Sequence, residues 1–130
     1  MKYLCLICAE KVMEQMSGAD AAKHYEEYVE FTKDVRRDGH FIAANRLAPA
    51  SAATTVRVRN GKISTTDGPF AETKEQLGGY YLIEARDLNE AIQVASRIPA
   101  VRFGCVEVRP VAEDPETLHA LGFAAPASQR

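Results

Sequence analysis

The chain has 130 residues, 46% of them hydrophobic and 26% charged, with a formal net charge of −2. That length suits one domain with a single core, and so balanced a charge gives no basic field for a nucleic-acid backbone. No apolar run approaches the roughly 18–20 residues that span a bilayer, and MKYLCLICAEK is too short for a signal peptide, so a cytoplasmic protein without membrane or nucleic-acid partners is expected.

Lys2 to Ala9 form a continuous apolar run without a helical stripe, which predicts a strand buried on both faces. Cys5-Leu6-Ile7-Cys8 has the letters of C-x-x-C, but side chains alternate along a strand, so a spacing of three sends these thiols to opposite sides. The three cysteines, an odd number, read as buried structural residues and not as a disulfide framework or metal site. Ser17-Gly18-Ala19-Asp20 signals a helix N-terminus. Ala21, Tyr25, Tyr28, Val29, Thr32 and Val35 then recur at steps of three and four, opposite a charged side, as in an amphipathic helix lying on a sheet. Asp38-Gly39 stops it, and His40 to Leu47 reads as a second strand.

TTVRVRNGKISTT carries the clearest local signal, because Asn60-Gly61 suits a two-residue type I′ turn whose central residues both need positive φ. That register sets Arg59 opposite Lys62, Val58 opposite Ile63 and Arg57 opposite Ser64, with Val56, Val58 and Ile63 on one face. Tyr80 to Ala85 is a further strand, and Asp87 caps a second helix with Leu88, Ala91, Ile92 and Ala95 inward. Pro99 ends that helix, Cys105 to Val111 forms the last main strand, and Pro115 to Leu121 adds a helical turn.

The order β-α-β-(hairpin)-β-α-β predicts an α+β, ferredoxin-like sheet with two helices on one face. The first and third main strands are apolar on both sides, so the face away from the helices needs a cover. A homodimer pairing the open faces supplies one; the long loop and the tail are the alternative cover within one chain.

The run TDGPFAETKEQLGGYY, Thr66 to Tyr81, resembles the hallmark of the DGPF proteins, the YCII-related family, and MKYLCLI, TTVRVRNGK and VEVRPV resemble it too. The likeness spans about residues 1–112 and leaves 113–130 as a C-terminal extension, expected to be partly mobile. The resemblance implies a ferredoxin-like dimeric α/β barrel. It implies less about chemistry: a related branch includes a dehalogenating enzyme of chlorinated aromatic breakdown, and a His–Asp pair has been proposed as the family's active site. Some members are encoded beside extracytoplasmic-function sigma factors, which implies a signalling link.

Asp67 precedes Gly68-Pro69 and suits an Asx-type turn, or an acid, base or orienter at a cleft mouth. His24, on the margin of the first helix's stripe beside Tyr28 and Phe31, is either a half-buried packing residue or a proton carrier oriented by Asp67. His40 and His119 are weaker rivals. Glu72, Lys74 and Glu75 read as a solvated helical turn ended by Gly78-Gly79, or as polar lining of a pocket walled by Phe70 and Tyr81; the glycine pair also permits close backbone approach or a sharp bend. Arg46 would receive a substrate carboxylate or phenolate, or serve as a surface ion-pair partner. Nucleotide, phosphoryl-transfer and zinc motifs are absent from the sequence, so no metal or cofactor is expected. The resulting expectation is a homodimer that binds a small anionic or aromatic molecule. His24 and Asp67 would perform acid–base elimination, isomerisation or hydrolysis, and Arg46, Phe70, Glu72, Lys74 and Tyr81 would bind substrate. The alternative is a non-catalytic ligand-sensing or regulatory protein linked to a sigma factor.

Overall fold

The structure, a computed structural model, describes residues 1–10 and 16–123. In chain order it forms β1 (Lys2–Glu10), α1 (Gly18–Arg37), β2 (Phe41–Arg46), β3 (Thr54–Arg59), β4 (Lys62–Asp67), β5 (Glu75–Glu84), α2 (Leu88–Ala95), β6 (Gly104–Pro110) and α3 (Pro115–Ala120). The expected helix starts are present: Ser17 Oγ accepts from the Asp20 N–H at 3.2 Å, and the Asp87 carboxylate accepts from the Glu90 N–H at 2.9 Å. Of the expected C-terminal extension 113–130, the described part includes α3, and 124–130 lie outside the described residues.

The main sheet runs β2-β5-β1-β6 with every neighbour antiparallel, which is the expected ferredoxin-like order with β1 and β5 central. One face of it, Tyr3, Cys5 and Ile7 of β1 with Tyr81 and Ile83 of β5, is buried against Phe31 and Val35 of α1 and Ala91, Val94 and Ala95 of α2. Leu4, Leu6, Tyr80 and Leu82 alternate onto the other face and are only half-buried.

The helices are turned relative to the predicted stripes. In α1 the inward line is His24, Tyr28, Phe31 and Val35, while Ala21 and Tyr25 are exposed. Tyrosine is amphipathic, so apolar spacing alone does not rank Tyr25 against its neighbours; docking does, and Phe31 meets Tyr81 edge-on at 5.1 Å. In α2, Val94 is buried and the expected Leu88 and Ile92 are exposed.

β5 begins at Glu75, so the helical turn expected of Glu72, Lys74 and Glu75 is instead a loop running into strand. Its pairing with β1 passes from Ile7↔Gly79 to Cys8↔Leu77, leaving Gly78 as a bulge residue. A Cβ at 79 would sit 2.9 Å from the Asn45 carbonyl oxygen, so the glycine lets β5 press against β2. That long-range contact, invisible to local pattern, carries the strand through the glycine pair.

β3 and β4 pair in the expected register, with Asn60 and Gly61 at φ 52° and 74°, but they form a sheet of their own. Val56, Val58 and Ile63 remain 62%, 57% and 77% exposed. The hairpin's base is tied by the Gly68 N–H donating to Ala53 O at 2.7 Å and Thr55 Oγ1 donating to Gly68 O at 2.8 Å.

Candidate functional site

A cavity of about 450 Å³ is lined by the first half of α1, by β2 and the segment after it, by β5, and by Ile7 and Ala9 of β1. It exists because α1 tilts aromatic side chains toward the sheet while Gly78 and Gly79 on β5 place no bulk there. Among the described residues that line it, Arg46 is the one formally charged group and no carboxylate is present.

His24 projects into this space from α1, edge-on to Tyr28 at 5.0 Å and to Phe103 at 5.7 Å. Both of its ring nitrogens are buried and have no hydrogen-bond partner among the described residues. Burial pushes its pKa down; Glu27 opposes that shift, and the Arg102 and Arg46 guanidiniums reinforce it. The imidazole is therefore neutral at neutral pH, with one N–H to donate and one nitrogen to accept. Glu27 is itself held by Arg102, Nη2 to Oε2 at 2.6 Å, and the same guanidinium lies over the Phe103 ring at 5.4 Å. An ion pair and a ring thus lock the far side of His24.

The tyrosines stay phenols. Burial raises Tyr28 to about 12, and it also raises Tyr81. Thr32 Oγ1 donates its only proton to Tyr28 O at 2.8 Å, so at 2.7 Å it accepts from the Tyr81 hydroxyl. Asn45 Nδ2 donates to Tyr80 Oη at 2.7 Å across the β2–β5 pair, on the sheet face away from the helices.

Of the residues predicted from sequence, His24, Arg46 and Tyr81 come together in this cavity. Asp67, Phe70, Glu72 and Lys74 are not among the described residues that line it. Asp67 ends β4 opposite Thr54, is exposed, and its carboxylate makes no hydrogen bond among the described residues; Gly68, not an Asx-type bond, holds the turn. The expected wall from Phe70 is corrected likewise, since that ring is 83% exposed on the loop before β5. His40 is engaged elsewhere, with Nδ1 at 2.8 Å from Glu84 O. Sequence reasoning passed over Glu27, Arg102 and Phe103. Glu27 was within reach as the i+3 neighbour of His24, whereas Arg102 and Phe103 arrive through tertiary packing alone.

The sequence profile of the YCII-related domain matches residues 1–115, and the chain belongs to that family. An uncharacterised protein of Rhizobium meliloti (strain 1021) is 48% identical over 69 residues. That match covers 52% of this chain and 56% of the relative, so the chain spans little more than half of that curated relative's length. A solved structure of 5-chloro-2-hydroxyhydroquinone dehydrochlorinase from Burkholderia phenoliruptrix, in complex with 2,5-dihydroxybenzoquinone, superposes with a TM-score of 0.52 at 12% identity, covering 89% of this chain and 98% of that one. At that identity the likeness is one of fold. No helix among the described residues is long and apolar enough to cross a membrane.

Proposed function

We propose that, in this member of the YCII-related family, the cavity binds one small flat molecule bearing a single negative charge and a hydroxyl or enol group, with His24 exchanging its proton. The observation that carries this reading is the pair of buried, unpartnered ring nitrogens on His24. A buried donor or acceptor left unsatisfied costs about 1–3 kcal/mol, and a ligand hydroxyl relieves that cost at one nitrogen or both. Arg46 supplies the cavity's positive charge for a phenolate, enolate or carboxylate, and the rings of Tyr28 and Tyr81 favour a flat partner. A neutral imidazole held in place by Tyr28 and Phe103 is a competent proton acceptor without a cofactor, as an elimination or isomerisation requires. The fold neighbour's bound 2,5-dihydroxybenzoquinone is a flat oxygenated ring of the same class.

Asp67 enters the proposal as a second residue to be tested, standing at the hairpin base outside the cavity lining. Two copies of the chain pair through the half-buried face of Leu4, Leu6, Tyr80 and Leu82, since burying apolar area contributes about 25 cal/mol per Å². A single-chain mass by light scattering throughout the micromolar range would remove that pairing.

The site is tested by thermal shift with 2,5-dihydroxybenzoquinone and a panel of hydroxybenzoates on wild type, His24→Gln, Arg46→Ala and Asp67→Asn. A ligand at a hundredfold excess over its Kd stabilises by about 2.7 kcal/mol, so wild type should respond while the first two variants lose most of the response. An undiminished response in Asp67→Asn removes that residue from the site. Silence of wild type to the whole panel, or full response in His24→Gln, sinks the reading.

A further inference from the structure

We infer that Cys8 and Cys105 form a reversible disulfide site within one chain, on the sheet face away from the helices. The two residues are direct register partners on the antiparallel strands β1 and β6. Direct partners point to the same face with Cα atoms about 4.5–5.5 Å apart, inside the roughly 4.4–6.8 Å span a disulfide bridges. Beside them, a Cβ at Gly104 would collide with the Cys8 carbonyl oxygen, so the glycine lets the strands close at this point. The thiols lie close enough for each to influence the other's titration. Cys105 is exposed on an edge strand, Cys8 is half-buried, and Cys5 is buried on the opposite face with no mate. The pairing departs from the expectation of three buried structural cysteines, because C-x-x-C spacing concerns a single strand while the pair is made by two.

Desolvation raises both thiols, Cys8 being half-buried and Cys105 lying against the strand pair; Glu107 and then Glu75 add to the shift of Cys8, and Glu75 adds to that of Cys105. Thiols held protonated in this way supply little thiolate and so exchange slowly. The oxidant class is a small disulfide. The Cys105 thiolate attacks one of its sulfurs and expels a thiolate, giving a mixed disulfide. The Cys8 thiolate then attacks Cys105 Sγ and expels the second thiol. Two protein thiols are oxidised to one S–S bond while one small disulfide is reduced to two thiols, and the two protons leave with those thiols or to solvent. Both sulfurs belong to one chain, so the link needs no second copy; because the pair shares the sheet face proposed to join two copies, the oxidant reaches it in the single chain. Cys8 lies between Ile7 and Ala9, which line the cavity from the other side, so the cross-link pins the strand directly behind the candidate site.

The test treats the full chain with oxidised glutathione, alkylates the remaining thiols, and maps peptides by mass spectrometry with non-reducing electrophoresis alongside. The expected product is a Cys8–Cys105 linked peptide pair, lighter by two hydrogens than its reduced parts, in a species running as one chain with Cys5 alone alkylated. Dithiothreitol added before the alkylation should leave all three thiols open to the alkylating agent, and Cys105→Ser, a change at an exposed position, should abolish the link. Glutathione adducts that accumulate without the link, a chain-to-chain disulfide, or consumption of Cys5 alongside the pair would each overturn the inference.

Discussion

The main sheet and the β3–β4 hairpin are both antiparallel and both carry a row of apolar side chains, yet their surroundings are opposite. Ile83 in the sheet is fully buried, while Ile63 in the hairpin is 77% exposed. The hairpin is shaped by its turn: Asn60 and Gly61 occupy the positive-φ region a type I′ turn demands, and the register follows. The sheet is shaped by what it buries, tolerating a bulge at Gly78 in order to keep Tyr81 and Ile83 inward. A regular strand pair is therefore no sign of a core. A two-stranded ribbon alone is marginal in water, so its three exposed aliphatic residues mark a surface to be tested for a second copy.

The widest separation between the two regions should come from Ile83→Ala. Emptying a fully buried site costs about 2–5 kcal/mol, read as a lower urea midpoint at unchanged slope. A loss under about 1 kcal/mol would place Ile83 outside a packed core and erase the contrast. A smaller effect comes from His24, on the sheet-facing side of α1. Its folded pKa lies below its ordinary value, so on acidification the unfolded chain takes up the proton first. Stability from this group is complete above about pH 7 and declines as pH falls through the unfolded value near 6.5, levelling off below the folded one. Melting temperature followed from pH 7.5 down to about 5 should fall less in His24→Gln than in wild type. Parallel curves would mean that His24 titrates as if in water. The smallest effect belongs to Ile63→Ser, expected within about 0.5 kcal/mol of wild type, as for surface positions. A larger loss that grows with protein concentration would show the hairpin's apolar face packed against another copy.

Much of the fold was legible in local chemistry. Ser17 and Asp87 as caps, Asn60-Gly61 as the turn and the two-sided apolar character of β1 each act within a few residues, and each appears where expected. The candidate site was legible only in part. His24, Arg46 and Tyr81 share the cavity, but Asp67 and Phe70, conspicuous in the TDGPF run, stand on the exposed hairpin base and loop. A motif reports which residues are unusual and carries no information about which cavity they face.

The sequence by itself determined the helix starts, the hairpin with its register, and the element order that makes the sheet ferredoxin-like, but not the start of β5, which runs from Glu75 and not from Tyr80. Caps, turns and periodicity are short-range, and a chain segment carries them wherever it lies. Only the tertiary structure decided which way α1 turns, that Arg102 clasps Glu27 beside His24, and that Cys8 meets Cys105. Those outcomes depend on side chains dozens of residues apart competing for the same space, which packing resolves and local pattern does not.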